Sequence, residues 1–107
     1  PFDDRKLEEW VNRFPPSVIR CKGLVWIAGE DDISFLLEQA GRSVSVQPFS
    51  RWLATASLRE RKETWKRDPA ARDNWDEQVG DRMIKLVFIG AGMDEKKICV
   101  SLDKCLA

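Results

Sequence analysis

The chain contains no histidine among its 107 residues. That absence removes Ser–His and Cys–His nucleophilic pairs and every histidine-containing zinc site. A charge surplus is missing too: Lys plus Arg number 18, and Asp plus Glu number 18. A balanced chain has no global attraction to nucleic acid or anionic lipid. No apolar run approaches the ~20 residues that a membrane-spanning helix needs. The longest candidate, Leu24 to Ala28, has the length of a strand. The opening Pro1-Phe2-Asp3-Asp4 lacks the basic, apolar and cleavage regions of a signal peptide and lacks an initiator Met, as expected of an excised piece. Three cysteines, Cys21, Cys99 and Cys105, are an odd number without paired spacing. They argue against a disulfide framework and for a reducing, cytoplasmic setting. No G-x-x-x-x-G-K-S/T occurs, so nothing cradles a triphosphate. No nucleophile stands beside a base. The expectation is a chain without catalytic, cofactor-binding or metal-binding residues.

What is present is an ordinary globular composition, 43% hydrophobic and 34% charged, of a length that suits one domain over residues 1–107. Leu7, Trp10, Val11 and Phe14 share one face of a helix expected from about Asp4 to Phe14, with Asp3 as N-cap and Pro15-Pro16 as stop. A strand is expected over Val18–Ala28, with Gly23 marking a bulge and Trp26 in the core. Ile33–Ala40 reads as a second strand, and Val44 and Val46 alternate with polar residues in a third, which Pro48 ends or places at an edge. Met83–Ile89 is the strongest strand pattern, with Lys85 its one polar member. A last helix follows, with Ile98, Cys99, Leu102, Cys105 and Leu106 as its buried stripe. The fold class is α+β: a mostly antiparallel sheet of about four strands with helices packed on one face. Where the fourth strand inserts is not legible in the sequence, and pairing beside the first is a guess.

Residues 51–82 interrupt this order as a helical, charged insertion. Ser57-Leu58-Arg59-Glu60 fits a capping box for a helix ending near Arg67. Asp68-Pro69 reads as N-cap and first-turn proline of another piece reaching Trp75. The chain holds five tryptophans, and Trp52, Trp65 and Trp75 fall in or beside this core-poor stretch. Aromatics among charges are typical contact anchors, although they can equally cap an open sheet face.

Other patterns have plainer meanings. Gly90-Ala91-Gly92 lacks the third glycine of a dinucleotide loop and carries Asp94 and Glu95 where a pyrophosphate would sit, so it is a strand-to-helix turn. Asp73, Asp76, Glu77 and Asp81 do not fit a calcium loop and read as a solvated surface. Arg59, Arg61, Lys62, Lys66 and Arg67 around Trp65, together with the open sheet face, could hold single-stranded RNA in a stand-alone binding module, but Glu60, Glu63 and Asp68 dilute the patch.

Taken in order, the pieces resemble the C-terminal domain of the CobW family. Pro1-Phe2-Asp3 with Leu7 and Trp10 is similar to that family's opening helix. Arg20 through Ala28 is similar to its first strand, R-x-K-G-x-x-W-x-A. Gln39-Ala40-Gly41 and Arg51-Trp52 follow at the family's spacing. Trp75, then Gly80-Asp81-Arg82, Leu86-Val87-Phe88-Ile89-Gly90, Met93-Asp94 and Leu102-Asp103-Lys104-Cys105-Leu106, is similar to its W…G-D-R…L-V-F-I-G, M-D and L-D-x-C-L. The resemblance implies a non-catalytic accessory domain behind a P-loop GTPase domain that carries the nucleotide and a Cys-x-Cys-Cys metal site. It implies GTP, magnesium and zinc or cobalt for the parent protein, and as partners the GTPase domain and a client metalloprotein. The candidate protein-contact residues are Arg51, Trp52, Trp65, Trp75, Asp81 and Arg82. Some members carry a histidine-rich stretch that this chain lacks, so the resemblance implies no metal buffering here.

Overall fold

A computed structural model describes all 107 residues. Asp3 caps the first helix, α1 (Asp4–Asn12), by accepting from the Lys6 N–H at 3.0 Å. Strands β1 (Val18–Val25), β2 (Ile33–Ala40) and β3 (Ser43–Arg51) form the expected antiparallel meander. The chain then makes a single 3₁₀ turn, Leu53–Thr55, which no sequence pattern announced. Helix α2 (Leu58–Arg67) is capped by Ser57, whose hydroxyl accepts from the Glu60 N–H, and α3 (Pro69–Asp73) follows. Strand β4 (Lys85–Gly90) pairs antiparallel with β1, giving the sheet order β3-β2-β1-β4. Asp94 caps the last helix, α4 (Glu95–Asp103).

Strand pairing sorts the side chains onto two faces. Cys21 lies opposite Phe88, Gly23 opposite Leu86 and Leu37, and Val46 opposite Leu37. These positions share the face against which α1 and α4 pack. Leu37 and Val25 are wholly buried there, together with Phe2, Leu7, Trp10, Ile27 and Ile98. The Trp10 indole joins the two helices by donating to Ser101 Oγ at 2.9 Å, and its ring meets Phe14 and Phe88 edge-on. Opposite that core, the sheet presents Lys22, Glu38, Val87 and Ile89 outward. The chain ends are stitched together. Phe2 bridges both Ile27 and Leu106, Asp3 N–H donates to Cys105 O, and Ala107 N–H donates to Pro1 O.

Several expectations need correction. The first strand stops at Val25 rather than Ala28, because Ile27 leaves the sheet to pair with Phe2. Gly23 marks no bulge; the irregularity lies between Val18 and Arg20. A Cβ at Gly23 would sit 1.8 Å from Lys85 O, so the glycine is needed for close approach of β4. Trp26 is only half-buried, its Nε1 donating to Asp31 Oδ1 at 2.9 Å. Asp68 occupies the N-cap position of α3, yet its side chain caps nothing. Strand β4 alternates exposed and half-buried residues rather than being buried throughout, since helices cover one face only. Within the stripe of the last helix, Ile98 and Cys105 are buried and Leu102 half-buried, but Cys99 and Leu106 face outward.

A candidate contact surface in the charged segment

Neither α2 nor α3 contains a buried residue, so apolar burial does not hold these two helices to the sheet. Named polar contacts do. The Asp81 carboxylate accepts from Leu53 N–H at 2.8 Å and from Ala54 N–H at 2.9 Å, capping the 3₁₀ turn from the far end of the segment. Charge-assisted bonds of this kind are stronger than neutral ones. Arg61 approaches the same turn from α2, donating through Nε to Leu53 O at 3.3 Å and through Nη2 to Ala54 O. The turn is therefore clamped between a carboxylate and a guanidinium.

The Arg61 guanidinium also lies 5.2 Å from the Trp75 ring. Trp75 meets Trp65 edge-on at 5.3 Å, and Arg72 lies 5.9 Å over Trp65. The result is a stack of Arg61, Trp75, Trp65 and Arg72 that fixes α2 against α3. Gly80 makes room for it. Its φ of +71° suits glycine, and an added Cβ would come within 2.7 Å of Ala54 Cβ and 2.9 Å of the Trp75 ring. Arg82 closes the segment by donating to Asp31 O at 2.7 Å while its guanidinium lies 5.9 Å over Trp26.

The structure thus gathers Arg51, Trp52, Asp81 and Arg82 around one cleft of about 890 Å³, with Glu60 and Asp68 on its wall. Trp65 and Trp75 lie outside that lining and pair with each other. Trp52 is 3% exposed, so it shapes the cleft from beneath rather than touching a partner. Its indole N–H and that of Trp65 are buried without a hydrogen-bond partner in the chain. Arg51 is exposed, with a 3.5 Å contact to Thr55 O. Sequence reasoning missed Arg61, Trp26 and Asp31 as parts of this assembly. Arg61 looks like any basic residue on a charged helix, and only the fold reveals its two carbonyl partners.

Asp76 shapes the turn before Gly80. Its carboxylate accepts from Gln78 and Val79 N–H groups, and those bonds, Val79's foremost, hold its pKa below the ordinary carboxylate value. A depressed pKa means the turn gains this support above the ordinary carboxylate value and loses it as pH falls through the folded value. The Gln78 and Val79 amide resonances should therefore titrate below the usual Asp range. A midpoint at or above that range would contradict the bond pattern.

No group of three or more Cys, Asp or Glu side chains is placed to hold a metal ion. Cys21 and Cys105 are buried, and burial pushes the Cys21 thiol up to about 11 and also raises Cys105. No helix is long and apolar enough to cross a membrane.

Comparison with known proteins agrees with the motifs. The model of the cobalamin synthesis protein cobW C-terminal domain matches residues 1–106. The chain is 29% identical over 110 residues to the zinc-regulated GTPase metalloprotein activator 1 of Dictyostelium discoideum, an alignment covering 99% of this chain and 23% of that protein. It is 28% identical over 107 residues to the zinc chaperone Rv0106 of Mycobacterium tuberculosis, covering 99% of this chain and 27% of that one. The chain thus spans about a quarter of the length of these relatives. No solved structure matches it.

Proposed function

The chain belongs to the CobW C-terminal domain family, and from that premise we propose that it is a single, non-catalytic interaction domain of a cytoplasmic, GTP-dependent zinc or cobalt metallochaperone. The parent protein supplies the GTPase domain, nucleotide, magnesium and metal, and this domain meets a client metalloprotein. The names of the relatives, a metalloprotein activator and a zinc chaperone, support this class. The observation that carries the contact role is the outward-held pair α2–α3. It has no buried residue of its own, and polar clamps hold it so that Arg51, Asp81 and Arg82 rim one cleft. A partner docking there supplies burial that the segment lacks, with the charges as polar rim.

The rival RNA-binding reading loses support at both of its surfaces. Trp65 is packed against Trp75 and Arg72 rather than offered as a stacking platform. The outer sheet face carries Arg20, Lys22 and Lys85 beside Glu38, Val87 and Ile89, but β1 and β4 place no aromatic ring there for a base to stack on.

The test is a strain lacking the parent gene, complemented with the full-length protein under zinc or cobalt limitation. Arg51→Glu reverses a rim charge at an exposed position and should leave protein level and GTP hydrolysis within about twofold of wild type, by the small effect of surface changes. Growth should fall toward that of the deletion. Wild-type growth with Arg51→Glu would overturn the contact role of this cleft.

A further inference from the structure

The two edges of the sheet are built differently. Edge strand β3 carries Ser43, Ser45 and Gln47, contains Pro48, and breaks register between Ser34 and Phe35 of its neighbour. Those are the usual devices that keep an edge from pairing further. Edge strand β4 carries Lys85, and its pairing with β1 shifts between Val18 and Arg20, where the extra residue belongs to β1; β4 itself has no proline and no bulge, Leu86 through Ile89 are all apolar, and no strand pairs with its outer side. Val87 and Ile89 are 57% and 58% exposed on one face. On the other, a groove of about 770 Å³ opens between β4 and α4, walled by Leu86, Phe88, Ile98 and Leu102. Its only charged lining residues, Glu95 and Asp103, are both acidic. An apolar trough beside an unprotected strand edge, with a one-sign rim, is a seat for an extended apolar segment flanked by basic residues.

We propose that this seat is filled by the GTPase domain of the same polypeptide, which lays such a segment along β4 and over the groove; the proposal rests on the parentage inferred above. Phe2 and Leu106 both line the groove and are bridged to each other, so polypeptide joined to either end would leave the fold beside it. The relatives extend far beyond the matched region, which covers 23% and 27% of their lengths. A neighbour tethered at the groove's rim is present at high effective concentration. The seat is distinct from the cleft of Arg51 and Asp81, leaving that cleft free for a client.

Cys99 reports on the seat because it is exposed and lines the groove, whereas Cys21 and Cys105 are buried. Full-length protein is treated with iodoacetamide, and alkylation of the Cys99 peptide is followed by mass spectrometry, with GTP hydrolysis measured on the same preparation. Cys99 should react at least ~10-fold more slowly than a free cysteine peptide, a protection factor reflecting a mostly closed docked state. Val87→Asp should restore fast labelling while Cys21 and Cys105 stay unreacted, showing the fold intact. Should Val87→Asp unfold the protein, Ile89→Asp replaces it, and the wild-type rate decides by itself. Fast labelling of Cys99 in a wild-type protein that hydrolyses GTP overturns the docking alone. Protection that vanishes on dilution assigns the seat to a second copy and overturns it too, as does protection that neither variant relieves. A full-length protein that hydrolyses no GTP overturns the parentage and the docking together.

Discussion

Leu37→Ala is expected to lower unfolding free energy by about 3–5 kcal/mol, the upper range for a buried leucine truncated where its surroundings cannot collapse. Leu37 is wholly buried and sits on β2 between Gly23 of β1 and Val46 of β3. Backbone ladders on both sides hold the strands apart, so the space left by the side chain stays open. A small fold commonly has about 5–15 kcal/mol in total, so the variant would lose a large share. Leu86, Phe88 and Leu102 line the groove and are only half-buried, and truncating them should cost less. Urea melts check the ranking. A smaller midpoint shift for Leu37→Ala than for Leu102→Ala would move the centre of the core from the sheet to α4.

Gly23→Ala should be nearly as damaging, though it adds only a methyl group. The new Cβ would lie 1.8 Å from Lys85 O and 2.8 Å from Leu86 Cα, both backbone atoms of β4. No rotamer relieves a clash with backbone, so β1 and β4 must separate. Overpacking typically costs about 1–3 kcal/mol, and here the loss of ladder hydrogen bonds adds to it. The damage has a location. Amide hydrogen exchange should accelerate along Lys85–Gly90 while the β2–β3 pairing keeps its protection. Unchanged exchange in β4 would show that the strands can absorb the methyl. Gly41→Ala is the control, since a Cβ there meets nothing within 4 Å, leaving only the strain of its φ of +59°.

Local chemistry was the most legible layer of this sequence. Asp3 and Ser57 were readable as caps, and each accepts from the N–H three residues on. Alternation and turn residues gave the meander, and the apolar run around Phe88 gave β4 as a strand, but no residue pattern encodes its place beside β1. A run such as Leu86-Val87-Phe88-Ile89 looks buried on both faces, because one-dimensional apolarity does not say how many layers cover a sheet. Gly23 illustrates the same gap: a glycine that admits a neighbouring backbone is indistinguishable in sequence from one that marks a bulge. The candidate surface was half legible. Tryptophans among charges marked the segment, but Asp81 capping Leu53 is a closure across 28 residues that no periodicity encodes. Trp26 leaving the core for Asp31 and Arg82 belongs to the same class of tertiary choice.

The stitching of the chain ends has a consequence in the language of topology. With Ala107 N–H bonded to Pro1 O and Phe2 bridged to Leu106, the backbone is almost a closed ring. A ring can be opened at any loop without altering the order of its strands, and proximate termini are what permit circular permutation and insertion. Polypeptide attached before Pro1 or after Ala107 would leave from the same corner, so a fused neighbour would approach from one direction whichever end carried it.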